Sequence, residues 1–164
     1  MGRRVRVIRT QFPDMIQEDV INYRRHIKEV ARRVRSLRSR GTAVVVRDRK
    51  VLLVRDRGKF KFSLPGGGVR HRESTVTAVQ RELFEELGLI VVDVERRRDC
   101  DFLGSANRHK VCDVEVVGEP RLCSRELDRF VWWNFEDEIP LCYHVTFILR
   151  MMGLLLGEGD NDVP

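Results

Sequence analysis

GGGVRHRESTVTAVQRELFEELGL, residues Gly66 to Leu89, decides how this chain of 164 residues folds. The run of glycines after Leu64-Pro65 lets the backbone adopt positive φ and approach a ligand or metal closely, which a Cβ would prevent. Ser74 or Thr75 then caps a helix in which Val76, Val79, Leu83 and Leu87 recur at three and four residues, giving one buried stripe. Gly88 is the expected stop. Glu82, Glu85 and Glu86 flank the stripe at i, i+3 and i+4, a spacing that brings their carboxylates to one patch. Like charges so placed repel. A hard divalent cation such as Mg2+ among them removes the conflict, with water and substrate phosphates completing its oxygen ligands. The plainer alternative for Glu85-Glu86 alone is a solvated acidic face.

The order of residues separates these readings. Gly67, five residues, Glu73, seven residues and then Arg81-Glu82-Leu83-Phe84-Glu85-Glu86-Leu87-Gly88-Leu89 agree with every specified position of the Nudix box, so the chain resembles the Nudix hydrolase family. The resemblance spans about residues 42 to 150, and only the box itself is specific. It implies an α/β fold, an α/β/α sandwich around a mixed β-sheet, to which this chain adds an N-terminal helix. It also implies hydrolysis of a nucleoside diphosphate linked to another group, by attack of water on phosphorus in a pyrophosphate. Attack on a polyanion needs charge neutralisation and an activated water, and clustered carboxylates holding Mg2+ or Mn2+ provide both.

By position, Glu82, Glu85 and Glu86 match the family's metal-binding glutamates, with the Gly66 carbonyl as a further ligand. Gly66, Gly67 and Gly68 form the loop expected to meet the substrate, and Arg81 and Glu73 match the pair that orients helix and loop. The family does not fix its general base. Glu126 stands at a suitable distance in sequence, Glu119 and Glu136 are rivals, and an exposed loop glutamate is the plainer reading of each. His71, inside the box loop, reads as a surface imidazole or a phosphate contact.

Composition limits what else the chain can be. Hydrophobic residues at 42% and charged residues at 34% describe one globular core with an appendage, and no apolar run reaches the roughly 18 residues that would span a membrane. The start, MGRRVRVIRTQF, has no continuous apolar region of the secretory kind, so a cytoplasmic location is the expectation. Cys100, Cys112, Cys123 and Cys142 contain no CxxC pair and read as buried or half-buried thiols rather than zinc ligands. The net charge of +6 is uneven: residues 1–41 carry 12 Lys and Arg against 4 Asp and Glu, and the remainder 19 against 21. The basicity therefore belongs to the N-terminal segment.

That segment has an undecided stretch at residues 4–10 and a helix from Asp14 to about Arg38, where Ile16, Val20, Tyr23, Ile27, Val30, Val34 and Leu37 alternate steps of four and three. The seam packs on its own domain or pairs with a second copy in a homodimer. Arg24, Arg25, Lys28, Arg32, Arg33 and Arg35 lie on the other face, where a nucleic acid is the weaker reading because no aromatics interleave. Ser36 to Gly41 reads as a linker, which divides the chain into residues 1–41, a domain at 42–156 and a tail at 157–164.

Thr42–Val46 and Val51–Val54 read as a hairpin, followed by strands at Leu89–Val94, Lys110–Val117 and Phe130–Asn134. Arg96–Arg98 reads as a charged turn or strand end, residues 118–129 as a polar loop able to lie over the site, and Leu141–Leu156 as a buried final helix. Trp132 and Trp133 would face opposite sides of their strand, mainly as core residues.

The substrate stays open: neither the proline of many ADP-ribose hydrolases nor the tyrosine of dinucleoside polyphosphate hydrolases stands at Gly104–Asn107. A nucleoside triphosphate, oxidised or not, and ADP-ribose remain equal readings. The alternative is a nucleotide-sensing regulator, against which the intact box argues, or a protein that processes RNA 5' ends using the basic N-terminal helix.

Overall fold

A computed structural model describes residues 17–155, with side chains from residue 25 onward. The readings at residues 4–10, the helix start at 14–16, Leu156 and the tail at 157–164 lie outside the described residues. The chain divides into two compact units between Ser36 and Leu37. In the first, α1 (Gln17–Ser36) is a 20-residue helix. Ile27 and Val30 of its seam are exposed, as are Arg25, Lys28, Arg32, Arg33 and Arg35.

The second unit carries two sheets. β1 (Arg38–Val44), β4 (Gly66–Gly68), β5 (Ile90–Leu103) and β6 (Asn107–Val117) form one, in the order β4-β1-β6-β5. β2 (Val46–Arg47), β3 (Lys50–Asp56) and β7 (Leu127–Trp133) form the other, in the order β2-β3-β7. β1 and β6 run parallel and every other pairing is antiparallel, so the arrangement is mixed. Among the described residues no helix is long and apolar enough to cross a membrane.

The expected hairpin is corrected. Its two strands are β2 and β3, turning through Asp48 and Arg49, both at positive φ (49° and 58°), as a two-residue hairpin turn of matching twist requires. Thr42–Val44 belong to β1 in the other sheet. The chain changes sheets at Val45, whose carbonyl accepts from Leu52 N–H at 2.9 Å. One β-branched run thus hides two strands, because period alone does not mark where a chain leaves its sheet. The linker reading changes too, since Arg38–Gly41 lie in β1, with Arg40 opposite Gly68 and Gly41 opposite Gly67.

α2 (Thr75–Leu87) begins at Ser74, whose Oγ accepts from Thr77 N–H at 3.0 Å. It ends at Gly88 in the left-handed region (φ 66°), with the Gly88 and Leu89 N–H groups donating to Phe84 and Leu83 carbonyls. α3 (Tyr143–Met151) is shorter than the apolar run suggested, because Gly153 turns the chain at φ 70°. Leu154 and Leu155, beyond that turn, still pack on the core. Arg96–Arg98 lie within β5, whose pairing with β6 breaks register between Arg97 and Phe102. Leu127–Arg129, read as loop, open β7.

Strand alternation divides the core. Ala43, Val45, Leu52, Val54, Cys112 and Val114 pack with Val79, Leu83 and Leu87 of α2, while Val44, Val51, Leu53 and Val111 pack with Val145, Ile148 and Leu149 of α3. Trp133 joins the second cluster and Trp132 lies against the first, so both tryptophans serve packing. The layers are helix, strands, helix. Leu83 has no exposed surface, and Leu83→Ala should cost about 2–5 kcal/mol by chemical denaturation. A loss below about 1 kcal/mol would place it outside a close-packed site.

Candidate active site

The site is assembled where β4 lies against the second half of α2. Gly66 has φ 131°, and a Cβ built on it would overlap the Gly41 carbonyl of β1. At Gly67 an added Cβ would overlap the Glu82 carboxylate, so this glycine is what allows the loop to lie against the helix.

Arg81 fixes the two together. Its Nε donates to Glu73 Oε1 at 2.8 Å, and its Nη2 to Glu73 Oε2 at 3.1 Å and the Gly68 carbonyl at 3.0 Å. Its Nη1 donates to Glu82 Oε1 at 2.7 Å and Glu85 Oε2 at 3.2 Å. Glu73 also accepts from Arg70 N–H at 2.8 Å. The Arg81 guanidinium, aided by that amide, holds the Glu73 carboxyl down at about 2.

The three glutamates do not converge fully. Glu82 and Glu86 line an open cleft of about 480 Å³ with the three glycines, whereas Glu85 turns to Arg81 and lies 3.7 Å from Arg70 Nη2. Among the described residues no three acidic, His or Cys side chains stand gathered for a metal ion. The expected patch is drawn apart because Arg81 neutralises two of its members. Glu86 differs. It is 7% exposed, its Oε2 has no hydrogen-bond partner, and burial pushes its carboxyl up to about 7 against the opposing charge of Arg40. A buried carboxylate oxygen without a donor, beside a second carboxylate and backbone carbonyls, is an all-oxygen set that fits a hard divalent cation.

Glu126 also lines this cleft. Arg57 braces its loop: the Arg57 N–H donates to the Glu126 carbonyl at 2.7 Å and its Nε to the Arg125 carbonyl at 2.8 Å. Its rivals stand elsewhere, Glu119 in an exposed ion pair with Arg47 and Glu136 in a turn where its backbone N–H donates to Asn134 Oδ1. His71 is exposed and outside the lining.

Arg40, Asp56 and Arg57 are cleft residues that the sequence did not single out. Arg40 was hidden in the supposed linker, and Asp56-Arg57 close a strand whose end carries no pattern. Arg40 and Asp56 also border a second pocket of about 630 Å³. There the histidines, scattered in sequence, come together: His109 and His144 stack at 4.2 Å between ring centroids. Thr42 Oγ1 lies 3.0 Å from His109 Nδ1, and Ser63 Oγ lies 3.1 Å from His144 Nε2.

Arg81→Ala should lower both melting temperature and any turnover, and Arg81→Lys should restore little, because one ammonium cannot reproduce a planar fork bonded to three carboxylates and a carbonyl. Unchanged melting and rate in Arg81→Ala would show that the network supports nothing.

The NUDIX domain model matches residues 37–146. A Nudix hydrolase family member from Chromobacterium violaceum aligns with a TM-score of 0.62 at 26% identity, over 72% of this chain and 77% of that one. A MutT NUDIX hydrolase from Burkholderia pseudomallei gives 0.61 at 25%, over 71% and 98%. An ADP-ribose pyrophosphatase from Streptococcus suis shares the fold, with a TM-score of 0.57 at 22% identity over 73% and 89%. No curated protein sequence matches. With its box arranged as loop, brace and glutamate helix, and with the family model covering more than half its length, this chain belongs to the Nudix hydrolase family.

Proposed function

We propose that this hydrolase cleaves the pyrophosphate bond of a nucleoside diphosphate linked to another group, of the nucleoside triphosphate or ADP-ribose class, with Mg2+ or Mn2+. The observation that carries this reading is Glu86, buried with an unpartnered Oε2 beside Glu82 at the glycine loop. Glu82, Glu85, Glu86 and the Gly66 carbonyl would hold the cation. When bound, it would neutralise the polyphosphate and make water a better nucleophile.

The chain's own residues have separate tasks. Gly67 and Gly68 let phosphates approach the backbone, while Arg40 and Arg57 offer positive charge across the cleft. Glu126 accepts a proton from the attacking water, whose oxygen bonds to phosphorus as the bond to the bridging oxygen breaks. Arg81 and Glu73 are positioning residues. The ADP-ribose pyrophosphatase and MutT-type structures of the same fold support the substrate class.

Activity on a nucleotide panel should disappear with chelator and return with Mg2+ or Mn2+; full turnover in chelator would sink the proposal. Glu86→Gln should lower kcat by several powers of ten with the fold retained, because it removes a ligand charge and little volume. A near-normal rate in that variant would remove Glu86 from the site.

A homodimer through α1 is part of the same proposal, supported by its exposed Ile27 and Val30. Replacing both by Asp should convert a sedimenting dimer to a monomer without changing the Nudix domain's melting. A wild-type protein that sediments as a monomer at micromolar concentration rejects it.

A further inference from the structure

The pocket beside the glutamate cleft carries chemistry that the pyrophosphate reaction leaves unused. It has about 630 Å³, within the range of small-molecule sites, and meets the cleft at Arg40 and Asp56. A substrate whose phosphates lie over Glu82 and Glu86 therefore has a route for its remaining group along β1. Arg40 pairs across β1 with Gly68 on one side and His109 on the other, so one residue borders both halves of that route.

The pocket lining adds aromatic rings, Phe60, Phe102 and Tyr143, to charged side chains. Phe102 stands 5.9 Å from Tyr143, between ring centroids, and is backed by Phe147 of the core at 4.8 Å. Tyr143 is 74% exposed and Phe60, which also lines the pocket, 75%. Two large rings left exposed in the lining of one pocket suit a flat partner that stacks on either. At the back stands the stacked imidazole pair. Thr42 and Ser63 each engage one ring nitrogen, which leaves His109 Nε2 and His144 Nδ1 for a ligand. Burial, with the positive charge of Arg40 nearby, keeps both below their ordinary range, at about 3 for His109, where His144 adds to the effect, and about 4 for His144. Neutral imidazoles do not attract phosphate. Each presents a hydrogen-bond donor or acceptor, the complement of the neutral polar edge of a heterocycle.

We infer that this pocket receives the nucleobase of the substrate, stacked against Tyr143 and Phe60, and that the His109–His144 pair reads the base's polar edge and so sets which base is accepted. The inference rests on the pyrophosphohydrolase reading and adds the specificity-determining residues to it. Lys59 and Lys61, also at the pocket, supply positive charge for the phosphate-bearing end of the same molecule.

Steady-state kinetics on the full chain with Mg2+ test it, using the four common nucleoside triphosphates and inorganic tripolyphosphate, which has no base. Tyr143→Ala and Phe60→Ala change exposed residues and should fold. Each should raise KM for the preferred nucleotide at least tenfold, while the KM or inhibition constant of tripolyphosphate stays within twofold. His144→Asn should alter the ranking among the four bases, with melting temperature as the check on its fold. Unchanged nucleotide KM in both aromatic variants, or equal losses for nucleotide and tripolyphosphate, overturns the base pocket. So does a wild-type enzyme that turns over tripolyphosphate and no nucleotide. Glu86→Gln separates the two levels. If it abolishes nucleotide turnover while the pocket variants behave as wild type, only the base pocket fails; if it has no effect, the pyrophosphohydrolase reading fails first.

Discussion

The guanidinium of Arg81 bonds to a loop, a strand and two positions of its own helix at once, and the geometry of the cleft follows from that. Glu73 and the Gly68 carbonyl fasten it to the glycine segment, and Glu82 and Glu85 fasten it to α2. Its side chain is only 15% exposed. Water therefore competes poorly for these bonds, and a half-buried fork of this kind is worth more than a surface pair. The same bonds set its chemical character. By occupying Glu82 and Glu85, Arg81 leaves Glu86 as the carboxylate with uncompensated burial, so a cation arriving in the cleft competes with a guanidinium for part of its ligand set.

The two-sided core explains why this network can sit where it does. Strand residues alternate between the α2 and α3 clusters, so β1 is fixed from both faces. Gly41, at its centre, would place a Cβ 3.0 Å from Val79 Cγ2 and 3.2 Å from the Thr75 carbonyl. The absence of a side chain there draws the first turn of α2 onto the sheet. The glycine loop is thereby pressed between β1 and the helix that carries the glutamates. Packing and site are one construction: the apolar stripe of Val79, Leu83 and Leu87 sets the rotation of α2, and that rotation sends Glu82 and Glu86 to the cleft.

The sequence made this helix legible because several independent signals coincide in it. The Ser74 cap, the stripe, Gly88 and the spacing of the charged residues all agree, and the family pattern lies on the same positions. What it could not supply was pairing over distance. Glu85 looked equivalent to Glu82 and Glu86 on a helix wheel, but only the folded chain shows Arg81 and Arg70 drawing it aside. His109 and His144 carry no local signal, since strand β6 and helix α3 bring them together across intervening β7. Arg40 fell in a charged run that resembles a linker until its partners Gly68 and His109 are known. Glu126 was reachable by distance along the chain, whereas the Arg57 contacts that hold its loop were not.

β5 is the outer strand of its sheet and runs for 14 residues, with Ile90 and Val92 each 57% exposed. A free edge of that length offers unpaired amides to any other extended chain. Between Arg97 and Phe102 its ladder breaks, and the break falls where charge is densest, with Arg97 bonded to Asp99 and Arg96 to Asp101. An incoming strand would have to desolvate these ion pairs and follow a backbone that departs from regular register. The charged run at 95–101 therefore makes this long outer strand a poor template for another extended chain, although half its length is otherwise open to one.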